Sequence, residues 1–261
     1  GTRSFITGQE SPLRERWGGW YVTAAHGAET AMANVTVSDA KHPEQLDTAG
    51  ATDLTSLVGR VDTAAYLTGS SDIVALMVLA HQTQMHNLIT RTNYQTRLAL
   101  FADPQISEAT RKRFEEPAEQ LLRYLLFTNE APLDGGIEGT SDFAKEFAAR
   151  GPRDAQGRSL RDFDLRTRIF KYPCSYLIYS EAFDAIPEPA KGYIYRRLFE
   201  VLSGREHGPE FASLSGEDRR AILEILAATK PGLPEEWRQF VRQSHQGNSN
   251  RVLSGAVNFH T

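Results

Sequence analysis

The stretch Asp72-Ile-Val-Ala-Leu-Met-Val-Leu-Ala-His81-Gln-Thr-Gln-Met85-His86-Asn87 decides the fold of this chain. Its apolar residues recur at the three- and four-residue spacing of one helical face, and Ser70-Ser71-Asp72 offers the helix an N-cap. The helical pattern continues to about Leu100, where Asp103-Pro104 stops it. This segment is therefore predicted to be the longest element.

The two histidines of this stretch are predicted to lie on different sides of the helix. His81 falls in the apolar row, whereas His86 lies roughly 140° further around a helix of 3.6 residues per turn. His86 shares its side with Gln82 and Asn93, which are polar. Two histidines so arranged do not easily grip one ion from the same helix.

His81 and Met85 are the pair of side chains that could ligate haem iron. They are four positions apart on one face, and imidazole and thioether are both axial ligands of haem iron. The alternative is a core histidine with satisfied nitrogens, beside a methionine that fills a gap. Burial of His81 is expected in either case.

The rest of the pattern predicts a mainly α, irregular multi-helix domain of about eight helices, with little or no sheet. Residues 1–70 are predicted to form a loop-rich, aromatic-anchored arm packed on a helical core at 71–243, followed by a tail at 244–261. Within the core, we expect Pro117 to kink a helix or mark a junction, and we expect a helix from Asp164 to Tyr172.

Composition excludes several classes of protein. The 261 residues are 40% apolar, which is enough for a core, and a net charge of −4 makes nucleic acid a poor partner. No run approaches the roughly 18 apolar residues of a membrane span. The lone Cys174 excludes a disulfide within the chain and a Cys-x-x-Cys-His haem attachment site. The first residues lack the charged and apolar regions of a secretory signal, so we expect any such signal to lie upstream. The sequence contains no His-Glu-x-x-His motif, Gly-x-Ser-x-Gly elbow or phosphate-binding glycine loop, so it identifies no catalytic residue.

A second cluster lies in the arm, at Trp17-Gly-Gly-Trp20-Tyr21, with His26 following. The aromatic side chains can form a flat wall, and one interpretation makes them part of a pocket shared with His81. The alternative is that these rings only anchor the arm to the core.

Three stretches carry a family resemblance. They are Ser11-Pro-Leu-Arg-Glu-Arg-Trp17-Gly-Gly-Trp20-Tyr-Val-Thr, Ser71-Asp-Ile-Val-Ala-Leu-Met-Val-Leu with His81-Gln-Thr-Gln-Met-His86-Asn, and Phe163-Asp-Leu-Arg-Thr-Arg-Ile-Phe-Lys-Tyr-Pro-Cys174-Ser-Tyr-Leu-Ile-Tyr-Ser-Glu181. They resemble the downstream region of bacterial, periplasmic cytochrome c-like proteins of largely uncharacterised function. The resemblance implies a periplasmic location. It also implies haem c on an upstream segment, either missing from this chain or lost by it.

The residues and the resemblance are compatible with three functions. In the first, the chain is a helical module that contacts or ligates the upstream haem through His81, Met85, His86 or His26, supports electron transfer and meets a redox partner protein. The second is a structural or partner-binding module without a cofactor. The third is an enzyme domain with a pocket of Trp20, Tyr21, Tyr179 and histidines, in which His81, His86 and His26 bind a metal.

Overall fold

The computed structural model describes residues 7–17, 20–25, 32–48 and 54–255. Over these residues the chain forms seven α-helices and two small antiparallel sheets, so the predicted mainly helical class is confirmed. The helices are α1 (Ile73–Ala102), α2 (Glu108–Leu125), α3 (Phe143–Ala149), α4 (Glu181–Asp184), α5 (Glu188–Leu202), α6 (Gly216–Thr229) and α7 (Glu235–Gly255). The strands are β1 (Ala24–Ala25), β2 (Thr36–Val37), β3 (Leu46–Asp47) and β4 (Glu138–Gly139), with β1 paired to β4 and β2 paired to β3.

Asp72 fixes the start of α1, as the sequence predicts. Its Oδ1 accepts hydrogen bonds from the backbone N–H groups of Val74 at 2.8 Å and Ala75 at 3.3 Å, which satisfies two donors of the first turn. Its Oδ2 accepts from the backbone N–H and the hydroxyl of Ser141. The same carboxylate therefore caps α1 and ties it to the segment before α3.

The helices pack around α1 and α2. The Ser107 hydroxyl caps α2, and α2 is a single helix that includes Pro117, so the predicted junction is not present. The Thr92 hydroxyl of α1 donates to the Pro117 carbonyl at 3.1 Å, which joins the two helices by a buried hydrogen bond. α5 packs against both α2 and α1, α6 packs against α5, and α7 packs against α6.

Arm and helices share one hydrophobic core. Leu13, Val22 and Ala33 of the arm are buried in the same cluster as the apolar faces of α1, α2, α5 and α6. Arm residues thus shield apolar surface that the helices alone would leave in water. Among the described helices, none has both the length and the apolar character required to cross a bilayer.

Two local predictions are wrong. The segment 164–172 is an irregular turn instead of a helix: Phe163 and Phe170 pair across it by an isolated β-bridge, and Leu165 has a left-handed φ of 56°. At the other end of the chain, α7 extends through the boundary predicted at residue 243.

Candidate functional site

His81 is buried at the centre of the molecule, where two distant segments supply its hydrogen-bond partners. Its side chain is 1% exposed. Nδ1 lies 2.8 Å from Oε1 of Gln9, and Nε2 lies 2.7 Å from the Ser175 hydroxyl. Gln9 belongs to the arm and Ser175 to the segment before α4, so the imidazole joins three parts of the chain.

The hydrogen bonds define the ionisation state of His81. The Gln9 amide nitrogen donates to the Tyr124 carbonyl at 3.2 Å, which turns Oε1 of Gln9 toward the imidazole. Nδ1–H therefore donates to Oε1 of Gln9, and Nε2 accepts a hydrogen bond from the Ser175 hydroxyl. Burial lowers the pKa of His81 from 6.5 to about 3, so the ring is neutral at physiological pH.

Aromatic rings enclose the imidazole. It stacks on Phe127 with ring centroids 4.5 Å apart and on Tyr124 at 5.3 Å. Met85, its expected companion, is fully buried one turn further along α1. Phe127 is held in a left-handed conformation with φ of 55°, an unusual geometry for a bulky residue, which identifies this turn as a strained point of the backbone.

The order Ser175, His81, Gln9 resembles the hydrogen-bond order of a serine hydrolase triad, but the surroundings differ. The third member is a neutral amide, and Ser175 has no exposed surface, so no substrate reaches its hydroxyl in this structure. Ligation of iron or another metal by Nε2 would displace the Ser175 hydroxyl. A ligand role for His81 stays a prediction, whereas its burial is confirmed.

The other predicted ligands do not gather around His81. His86 is half-buried on a different side of α1, in a row where Gln82 accepts from the Tyr176 hydroxyl at 2.8 Å and Asn93 donates to the Ala185 carbonyl at 2.9 Å. His26 lies outside the described residues. Over the described part of the chain, no three histidine, cysteine, aspartate or glutamate side chains are placed to hold a metal ion.

Trp17 and Trp20 of the predicted aromatic wall line one surface, but that surface includes neither Tyr21 nor His81. Trp17 and Trp20 line an open groove of about 250 Å³ whose other side is α1, at Leu76, Leu79, Ala80, Thr83, Gln84 and Asn87. We call this surface the tryptophan groove. Tyr21 contributes to a separate contact, under the Arg60 guanidinium at 5.6 Å, and the Tyr179 hydroxyl bonds to the Thr229 hydroxyl at 2.7 Å.

The structure also contains a cleft that the sequence does not reveal. It has a volume of about 290 Å³ and opens beside the C-terminus of α2, where Glu130 and Arg168 meet apolar residues such as Phe127. We call it the Glu130 cleft. Burial raises the pKa of the Glu130 carboxyl to about 7, although the positive charges of Arg16 and Arg168 oppose the shift. The only local signal is one carboxylate in the apolar run Leu125-Leu-Phe-Thr-Asn-Glu-Ala-Pro-Leu133.

Comparisons with protein-family models, curated proteins and solved structures found no match to this chain. The resemblance to cytochrome c-like proteins therefore rests on the three sequence stretches alone.

Proposed function

We propose that this chain is a helical module of a periplasmic cytochrome c-like protein, and that its tryptophan groove packs against haem c carried by an upstream segment. The haem supplies electron transfer when it is bound. The residues of this chain supply an apolar wall and exclude water from one edge of the macrocycle.

The main support for this haem contact is that apolar side chains of the tryptophan groove are exposed. Trp20 is 59% exposed and Leu79 is 54% exposed, and both side chains face the same open surface. Indole rings offer flat faces on which an aromatic macrocycle can stack. A groove of about 250 Å³ lies just below the usual size of ligand pockets, about 300 to 1,000 Å³, so it fits one edge of a haem.

The path of the chain supports this occupant. Thr7, the first residue that the structure describes, lines the tryptophan groove. The N-terminal side of the described chain therefore lies at the proposed haem contact. The backbone of Trp17 is strained, because this bulky residue has a left-handed φ of 58°.

His81 has a different role in this proposal. Both of its nitrogens are engaged inside the core, so it holds the arm and the helices together and leaves the haem contact to the indoles. The proposal therefore assigns no iron ligand to His81.

The test is a titration of this chain with a proteolytic c-type haem peptide, followed by the Soret band and by quenching of tryptophan fluorescence. We expect saturable binding that Leu79→Lys weakens at least tenfold, about 1.4 kcal/mol, because the change removes an apolar contact and introduces a charge. Phe101→Lys is the matched control. Phe101 is 88% exposed on the same helix and lies about 33 Å along it from Leu79, at 1.5 Å per residue.

Each outcome decides the matter. Absence of saturable binding, or equal affinity in both lysine variants, overturns the haem contact. A Soret shift that is lost in His81→Phe but kept in Leu79→Lys would assign the contact to His81 instead.

A partner-binding module without cofactor is the second candidate. Tyr94, Leu98 and Phe101 form an exposed apolar row on the C-terminal half of α1, three and four residues apart. If this row binds a protein partner, Phe101→Lys weakens that complex and Leu79→Lys leaves it intact. Light scattering with candidate redox proteins measures the difference.

A further inference from the structure

The tryptophan groove is one end of a longer exposed face of α1. Positions 76, 80, 83, 87, 90, 94, 98 and 101 are three or four residues apart, so they follow one side of a helix of 3.6 residues per turn. The groove occupies the first half of this side, and the row of Tyr94, Leu98 and Phe101 occupies the second half. We call this side the open face. The other side of α1, with His81 and Met85, is buried in the core.

The open face carries little charge. α1 contains no aspartate or glutamate, and its only arginine or lysine residues are Arg91 and Arg97. Arg91 donates to Gln120 of α2 at 2.9 Å and Arg97 donates to Asn93 at 2.6 Å, so both guanidinium groups are held at the edges. The centre of the open face, at Thr90, is neutral. Apolar surface can therefore cover this face without burying an unpaired charge.

The two ends of the open face have complementary shapes. The N-terminal end is concave, because Trp17 and Trp20 lie beside α1 and enclose about 250 Å³. The C-terminal end projects, because Phe101 is 88% exposed on the last turn of α1. Leu79 of the groove and Phe101 are separated by about 33 Å along the helix, and Thr90 lies midway between them. A two-fold axis at Thr90 that pairs two α1 helices in antiparallel directions therefore brings each Phe101 to the groove of the other copy.

We propose that two copies of this chain form an antiparallel dimer through their open faces, in which the Phe101 ring of each copy fills the tryptophan groove of the other. The second copy thus contributes a residue that completes the groove. Phenyl and indole rings pack favourably in offset or edge-to-face pairs. The proposed haem contact uses the same groove, so a second copy and a haem-bearing segment exclude each other. The dimer itself requires no haem.

The size of the open face determines the strength of the dimer. From Leu76 to Phe101 the face is about 38 Å long, and a helix with its side chains is about 12 Å wide. The dimer therefore buries about 450 Å² per copy, or about 900 Å² in total, whereas specific stable interfaces begin at about 1,200 Å². We expect a reversible dimer with a dissociation constant of about 1 to 100 μM.

The first test is sedimentation equilibrium of the whole chain without haem, at about 1 to 500 μM. We expect a monomer–dimer equilibrium. Leu79→Glu and Phe101→Lys should each weaken the dimer about tenfold or more, because each variant sets a charge against apolar surface at both symmetry-related contacts. Val58→Lys is the matched control. Val58 is 82% exposed in the arm, away from the open face, and its substitution should leave the equilibrium unchanged.

A mixture of the two variants tests the antiparallel geometry. When a Leu79→Glu copy pairs with a Phe101→Lys copy, one contact joins the introduced carboxylate to the introduced ammonium group. The other contact keeps an unmodified Phe101 in an unmodified groove. The mixture should therefore dimerise about tenfold more tightly than either variant alone. A parallel dimer would show no such recovery, because it sets position 79 against position 79.

Four results would overturn the proposal. They are a monomer at every concentration, undiminished dimerisation of either variant, equal weakening by Val58→Lys, and a mixture no tighter than the variants alone. None of these results depends on the haem titration, so the dimer and the haem contact can fail separately.

Discussion

The stability of this protein between pH 7 and pH 5 should depend on the buried His81 and the partly buried Glu130, which have opposite effects. His81 has a folded-state pKa of about 3 against 6.5 when unfolded, so below pH 6.5 the unfolded chain takes up a proton that the folded protein refuses. Stability is therefore lost as the pH falls. Glu130 has a folded-state pKa of about 7 against 4.5, so the folded protein takes up the proton first and stability is gained as the pH falls.

The magnitudes follow from the two pKa differences. A full pH unit within either window is worth about 1.4 kcal/mol. Between pH 7 and pH 5 each group changes the free energy of unfolding by about 2 kcal/mol. The change is smaller than that of two full pH units because part of the range lies at the edge of the interval between the folded and unfolded pKa values. The contributions nearly cancel in the unmodified protein, so His81 and Glu130 together leave its stability almost unchanged.

Substitution of one group reveals the other. Relative to the unmodified protein, His81→Phe should gain about 2 kcal/mol of unfolding free energy between pH 7 and pH 5, and Glu130→Gln should lose about 2 kcal/mol. The two variants would thus diverge by about 4 kcal/mol. Urea denaturation at the two pH values measures this, with fluorescence of the fully buried Trp237 as the probe.

Tyr176→Phe is the matched control for lost hydrogen bonding. It removes the bond from the Tyr176 hydroxyl to Gln82 but no group that titrates between pH 5 and pH 7, so its profile should run parallel to that of the unmodified protein. If the His81 and Glu130 variants also run parallel to it, the assignment of both buried groups is refuted.

Three further substitutions or labels test the packing. Ser175→Ala should lower the unfolding free energy by about 1 to 3 kcal/mol in urea at pH 7, because Nε2 of His81 loses its donor in a dry core; an unchanged value would contradict the hydrogen bond. Gly139→Ala should lower the melting temperature because its Cβ would overlap the Asp72 carboxylate, while Gly136→Ala, with open space around it, should leave the melting temperature unchanged. Cys174 is fully buried, and burial raises the pKa of its thiol, so a disulfide reagent followed by absorbance should label it only after unfolding; rapid labelling of the folded protein would show an open path to it.

Local sequence was sufficient for the elements that carry their own signals. Asp72 before an apolar row and Asp103-Pro104 after it defined α1, and the same row predicted burial of His81. The segment 164–172 misled because its pattern suits a helix. In the structure, Phe163 and Phe170 join a wider aromatic cluster with Phe147, at centroid distances of 5.3 and 6.1 Å, and this tertiary packing outweighs local propensity.

The chemistry of the site depended on residues far apart in sequence. Gln9 and Ser175 are 72 and 94 positions away from His81, so no spacing rule connects them to it. The Glu130 cleft was missed for the same reason, since Arg168 and Pro209 reach it only after the chain has folded. The sequence pattern therefore indicates that His81 is unusual, but it does not indicate that Gln9 and Ser175 are its partners.

The network around His81 has a consequence for the order in which this protein is assembled. Gln9 is synthesised before His81 and Ser175, so the three side chains can form their hydrogen bonds only after Ser175 has also been made. Closing loops of this length is an entropic barrier that local helix formation does not face. We therefore expect the arm to pack on the helices late in folding. We also expect that a break in the chain between Gln9 and α1 lowers the cooperativity of unfolding of the whole molecule.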